Sequence, residues 1–260
     1  MNRNLYKQPF VLQDPPSYGC PQCDIGLLRL NEDDFKKYTT FDLDEMQKHP
    51  DFEPDWIDYI FNCVFECNNH KCDGKVVCTG RGKVDFDIDV DDDGRQYQEW
   101  NDYYQPLFFH PNIKLINIPE NTPVDIKKTL DQSFELFFTS PSAAANLVRI
   151  SIEEILTDQG VSLYITNKKG REIRLQLDQR IDKLPEKHKD LKDKFFALKW
   201  LGNAGSHSGE ELSLDDTMDA YELAEYVLSE IYRSSSDNLD KLTQAINTSK
   251  GPRRNKRLSN

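Results

Sequence analysis

Between residues 84 and 91 apolar and acidic side chains alternate strictly: Val84, Phe86, Ile88 and Val90 interleave with Asp85, Asp87, Asp89 and Asp91. A period of two predicts a strand with one buried face and one acidic face, and the run KVVCTGRGKVDFDIDV is read as that strand. The segment YIFNCVFEC is strand-like by its β-branched and aromatic content. Between the chain start and these runs lies NEDDFKKYTTFDLDEMQKHPDFEPDW, read as an acidic insertion or short helix. The proline-marked passage QPLFFHPNIKLINIPENTP reads as a linker, because each proline removes a backbone donor and restricts its predecessor.

From Val124 the period changes to that of a helix, beginning with PVDIKKTLDQSFELFF. In SPSAAANLVRISIEEIL, Ser140 is placed to cap, Pro141 occupies the first helical position, and Ala144, Leu147, Val148, Ile152 and Ile155 share a face. The polar, glycine-containing TDQGVSLYITNKKGREIRLQL is a connector able to hold a short hairpin. Two helical segments broken near Pro185 follow, the second burying Leu191, Phe195 and Leu198. Ser213 and Asp216 form a capping box ahead of a stripe made by Ala220, Tyr221, Ala224, Val227, Leu228 and Ile231. The chain is therefore expected to be α+β: a β-rich domain over residues 1–118, an all-α helical bundle over 119–248, and a basic disordered tail over 249–260.

Charge narrows the function classes. A formal net charge of -12 disfavours nonspecific adhesion to nucleic acid or an anionic membrane, so any nucleic-acid contact must be local. No apolar run is long enough for a membrane span or a signal peptide, which points to a cytoplasmic protein.

All six cysteines fall within the first 78 residues. In a reducing compartment they read as metal ligands or buried thiols rather than as a disulfide framework. The short pairs CPQC, with Cys20 and Cys23, and CNNHKC, with Cys67 and Cys72, suit the two knuckles of a zinc ribbon. Four thiolates would close a structural zinc site with no open position for water; buried free thiols are the competing reading, and His70 could replace Cys72. Cys63 and Cys78 lie inside strand-like runs and read as small buried hydrophobes. DVDDDGRQYQEW approaches a calcium loop but has Trp100 where the bidentate carboxylate belongs, so a hairpin turn with a solvated acidic face is expected there.

In LKWLGNAGSH, residues 198–207, the glycines at 202 and 205 are expected to turn the backbone, with Asn203 capping and His207 on a polar loop. An imidazole there could exchange protons near neutrality, or it could be a hydrogen-bonded histidine at a helix end.

The ordered set CPQC, FECNNHKCDG, YYQPLFFHP, IPENTP, AAANLVRISIEEIL, LDQRIDKLP and LKWLGNAGSH resembles the bacterial domain of unknown function 4145, over most of residues 18–232. That family looks like a branch of the HEPN superfamily of helical bundles. The resemblance implies a HEPN-like bundle that forms a homodimer, and a role in antiviral defence with RNA or a defence-system protein as partner. It places Asn203 and His207 at the family's polar and histidine positions, with Gly202 where the arginine belongs. Seven residues separate Lys199, the nearest upstream cation, from His207, outside the four to six that the resembling family uses. Arg149 could supply the missing cation, or could pair with Glu153 one turn along its own helix. Three functions stay open: a catalytically degenerate HEPN-like module that binds RNA or a protein, a metal-independent endoribonuclease using His207, and an acidic protein whose Asp85 to Asp93 strip mimics nucleic-acid charge.

Overall fold

The computed structural model describes residues 2–91, 93–207, 211–233 and 237–251, with the backbone alone at 206, 207 and 237–241. Five antiparallel strands form a meander in sequence order: β1 (Tyr18–Gly19), β2 (Leu27–Thr39), β3 (Asp58–Cys67), β4 (Lys75–Val90) and β5 (Gln96–His110). Its inward positions are large and apolar, and Leu28, Phe61, Phe65, Val76, Cys78, Tyr104 and Phe109 are buried. A register shift lets Gly80 sit where a Cβ would meet the Gln105 carbonyl oxygen at 2.2 Å. Such a bulge also accommodates Pro106 in β5.

Three sequence expectations are corrected here. NEDDFKKYT belongs to β2, where Phe35 stacks on Phe61 with ring centroids 5.6 Å apart. The following α2 (Leu43–Met46) is the short helix. QPLFFH completes β5 and buries Phe109, so the connection to the helices begins after His110. The alternating run of β4 buries Val84 alone, whereas Phe86, Ile88 and Val90 are 40%, 63% and 54% exposed. The reason is topological. β3 pairs with β4 only as far as Lys83, so among the described residues the outer halves of β4 and β5 form a two-stranded ribbon that no third strand joins. The hairpin turn expected in place of a calcium loop is present, with the Gly94 amide donating to Asp91 O at 2.9 Å.

The helical half comprises α3 (Val124–Leu136), α4 (Pro141–Asp158), α5 (Leu177–Ile181), α6 (Lys192–His207), α7 (Leu214–Tyr232) and α8 (Asp237–Ser249). The expected connector hairpin is β6 (Tyr164–Thr166) with β7 (Glu172–Arg174). α4 is central, packing on α3, α6 and α7 through Ala144, Val148, Ile152 and Ile155, all buried. Pro141 opens α4 as its spacing predicts, but the Ser140 side chain makes no capping bond. Ser213 and Asp216 do form the reciprocal box that starts α7. Among the described residues no helix is long and apolar enough to cross a membrane.

Sheet and bundle share one continuous apolar core, with Phe109 against Phe138 at 5.2 Å between ring centroids. The segment before the sheet straps the two halves together. Arg3 in front of α1 (Asn4–Lys7) pairs with Asp219 at 2.5 Å and Glu222 at 2.8 Å on α7, and Phe10 then bridges to Tyr104 of β5.

The glycines of LKWLGNAGSH do not break the helix; α6 runs unbroken through both, and Asn203 lies inside it with His207 as its last described residue. Their smallness serves packing. A Cβ on Gly202 would lie 2.3 Å from the Arg149 Cβ, and one on Gly205 would lie 2.5 Å from the Ser142 carbonyl oxygen, so α6 presses directly onto α4. Intrinsic propensity favours alanine over glycine by about 1 kcal/mol inside a helix. Because backbone blocks the added methyl, Gly205→Ala is nevertheless expected to destabilise the protein by roughly 1–3 kcal/mol. Urea unfolding measures this, and a more stable variant would show that the two helices do not meet there.

Candidate functional site

Two clusters gather the residues singled out in the sequence. In the first, the turn after β1 carries Cys20 and Cys23, the end of β3 carries Cys67, and the turn before β4 carries Cys72. Main-chain bonds shape both turns: Cys20 N donates to Gly26 O and Cys67 N to Gly74 O, each at 2.9 Å. All four sulfurs lie within 4.8 Å of one another. The Cys20 to Cys72 and Cys23 to Cys67 separations are 3.9 and 3.7 Å. These are far beyond a disulfide bond of about 2.05 Å. They match the edge of a tetrahedron with 2.3 Å metal–sulfur bonds, about 3.8 Å.

The surroundings fit thiolates. Gly26 N donates to Cys23 Sγ at 3.3 Å and Asn69 Nδ2 at 3.7 Å. Backbone amides of Ile25 and Gly26 thereby hold the Cys23 thiol down at about 6. Although the Asn69 amide pulls the other way, burial and hydrogen bonding to the other three sulfurs push the Cys67 thiol up to about 12. Without a cation the four sulfurs cannot all be anionic so close together. A Cβ on Gly26 would meet Cys67 Sγ at 2.4 Å, and one on Gly74 would meet Cys20 Sγ at 3.0 Å, so both glycines cradle sulfur. His70 is exposed and outside the cluster. Cys63 and Cys78 face each other across β3 and β4, buried as small hydrophobes, and the hydrogen bond to Cys63 together with burial raises the Cys78 thiol.

The second cluster is a polar cleft of about 540 Å³ where α4, α6 and the chain after β7 converge. Arg149 and Glu153 line it from α4, Arg174 and Asp178 from the hairpin and α5, and Lys199 and Asn203 from α6. Arg149 from one stretch singled out in the sequence, and Lys199 and Asn203 from another, thus line one cleft. His207 follows Asn203 one helical turn later on α6, and its side chain lies outside the described residues.

Arg149 Nη1 donates to Glu153 Oε1 at 2.5 Å and Nε to Asn146 Oδ1 at 3.1 Å, so the intrahelical pair expected from spacing is present. Lys199 Nζ lies 3.9 Å from Asp178 Oδ1 and 4.5 Å from the Trp200 ring centroid. Behind Glu153 sits Arg180, 1% exposed, a residue that no sequence pattern singled out. Its Nη2 donates to the Glu153 and Val161 carbonyls and the Thr157 hydroxyl, while Nη1 faces Glu153 Oε2 at 3.8 Å. Burial lowers the Arg180 pKa from its usual value, against the pull of Glu153. Three cations and two carboxylates line the cleft, with a fourth cation behind its wall, in a chain of net charge -12. Arg174 was equally invisible, since its surface hairpin carries no periodic signal; its cationic composition was the clue available.

Residues 131–257 match a family model described as Domain of unknown function (DUF4145), which spans the cleft. Residues 8–109, with the cysteine cluster, match a second, Domain of unknown function (DUF8608), so the cysteine and helical motifs match two family models rather than one. No curated protein and no solved structure matches the chain.

Arg180→Met removes the donor from two carbonyls and the counter-charge behind Glu153, and is expected to cost on the order of 3 kcal/mol. Denaturant titration checks this; an unchanged midpoint would mean that the guanidinium is not what closes this wall.

Proposed function

We propose that the helical half is a HEPN-like module that binds RNA through the Arg149, Arg174, Lys199 and Asn203 cleft and acts in antiviral defence as a homodimer, and that the cysteine cluster holds a structural zinc ion. The observation that carries the RNA reading is the convergence of three cations on one groove of an otherwise acidic chain. Long-range repulsion from a net charge of -12 leaves a phosphate backbone only such a local foothold. Asn203 adds an amide able to donate to a phosphate oxygen.

Catalysis is the second reading, and one contact favours it. Arg149 packs against the very position, Gly202, where the resembling ribonucleases carry their arginine, so a guanidinium from α4 reaches the groove that an α6 arginine would serve. Its engagement with Glu153 and Asn146 supports the degenerate form instead, because the cation is already neutralised in place. The acidic-strip reading ranks below both. Its aspartates bond within the ribbon, Asp87 to Tyr103 and Asn101, Asp89 to Tyr97, and Asp85 to Lys83.

RNA binding is tested by titrating labelled RNA with the whole protein at several salt concentrations. Three phosphate contacts on a single strand correspond to a log–log slope of about -2, a loss of roughly 20-fold between 50 and 200 mM salt. Lys199→Ala is expected to make the slope shallower by about 0.7. Absence of binding at low salt would remove this reading. Incubation with tRNA, comparing wild type with His207→Ala, separates binding from cleavage: equal or absent cleavage leaves the degenerate form, and loss of a cyclic-phosphate product in the variant supports catalysis.

Zinc is tested by metal analysis and by release with a thiol-blocking reagent. One equivalent per chain is expected, lost in Cys20→Ser and on acidification because protons compete for the thiolates. Stoichiometric protein without metal, folded and with four titratable thiols in this cluster, would exclude it.

A further inference from the structure

Two exposed aromatic side chains flank the cleft, each beside one of its cations. Tyr164 and Arg174 are direct partners in the β6–β7 register, so they project from the same face of the ribbon, and Tyr164 is 49% exposed. Across the groove Trp200 is 61% exposed, with Lys199 Nζ 4.5 Å from its ring centroid. An exposed indole and an exposed phenol, each beside a cation of the cleft, offer two open π-faces at one groove.

The hairpin between them is firmly rooted. Leu175 N donates to Leu163 O at 2.8 Å, and Leu175 and Leu177 are buried in the bundle. Its turn is preorganised: Asn167 Oδ1 accepts from the amides of Lys169 and Arg171 at 2.9 and 3.0 Å, and Gly170 takes φ +74°, which glycine adopts without strain. Lys168, Lys169 and Arg171 continue the run of cations along the hairpin, and Glu172 is the sole acid between residues 164 and 174. Cations tracking a backbone with open aromatic faces beside them are the arrangement that binds unpaired nucleotides, because bases offer a π-face only when unstacked. In a duplex the bases stack on one another, and only the cations would find partners.

We propose that Tyr164 and Trp200 are base-stacking residues that make the cleft and the β6–β7 finger selective for single-stranded over double-stranded RNA. This rests on the RNA reading of the cleft and adds to it which form of RNA is taken and which residues decide.

The test uses the full chain, a labelled single-stranded oligoribonucleotide of about 12 residues, long enough to pass cleft and finger, and the same strand annealed to its complement. The single strand is expected to bind at least ten-fold more tightly. Tyr164→Ala and Trp200→Ala should each weaken its binding by about ten-fold while leaving the salt slope and duplex binding unchanged, and Tyr164→Phe and Trp200→Phe should restore it. Both side chains are exposed, so unchanged melting curves confirm that the variants fold. Equal binding of the two forms, or alanine variants that bind like wild type while Lys199→Ala still reduces the slope, would overturn the stacking proposal and leave the RNA reading standing. No binding of either form would remove both, and a protein partner lost on Trp200→Ala in its place would assign the aromatics to a different surface.

Discussion

The close approach of α4 and α6 is the constraint on which the cleft depends. Two glycines on α6 remove the side chains that would hold the helices apart, so the Arg149 stem and the Ser142 backbone lie against the α6 main chain. Residues more than fifty positions apart in sequence thereby line one groove. Helix propensity is given up at both glycines, and packing over the shared α4 face offsets it: Val148, Ile152, Phe195 and Leu198 are all buried.

That constraint sets the electrostatics. With Arg149 fixed against Gly202, its guanidinium meets Glu153, and Glu153 in turn faces the buried Arg180. Arg180 satisfies carbonyls at the end of α4 and at Val161, where the chain leaves for the β6–β7 hairpin. One buried cation thus joins the wall of the cleft to the root of the finger that extends it. On the RNA reading proposed above, this groove is the local foothold in a molecule whose net charge of -12 repels polyanions at long range.

The cysteine cluster stands apart from the cleft in chemistry and in the family model it matches. It brings the β1–β2 turn beside the β3–β4 turn at one end of a sheet whose other end runs out into a two-stranded ribbon. The sheet is held to the bundle by the Arg3 ion pairs and by the continuous apolar core.

Much of this was legible in sequence, for identifiable reasons. β-branched and aromatic content marked β3, period-two alternation marked β4, 3.6-residue periodicity marked α3, α4 and α7, Ser213 with Asp216 marked a helix start, and paired cysteines marked four sulfurs that meet, because each signal is local and its physics acts within a few residues. What failed was what depends on neighbours. Phe86, Ile88 and Val90 have the pattern of a buried face, but the pairing limit of β3 leaves them on a two-stranded ribbon, 40%, 63% and 54% exposed. Phe35 and Phe109 lie in segments that look like insertion and linker, and become strands because rings across the sheet bury them. Gly202 and Gly205 carry a turn signal in isolation, and tertiary packing overrode it, since a glycine needed for close helix contact and one needed for a turn are the same residue on paper. Arg180 and Arg174 had no pattern to betray them: the sequence determined that cations were present, and only the fold decided which of them face one another across a groove.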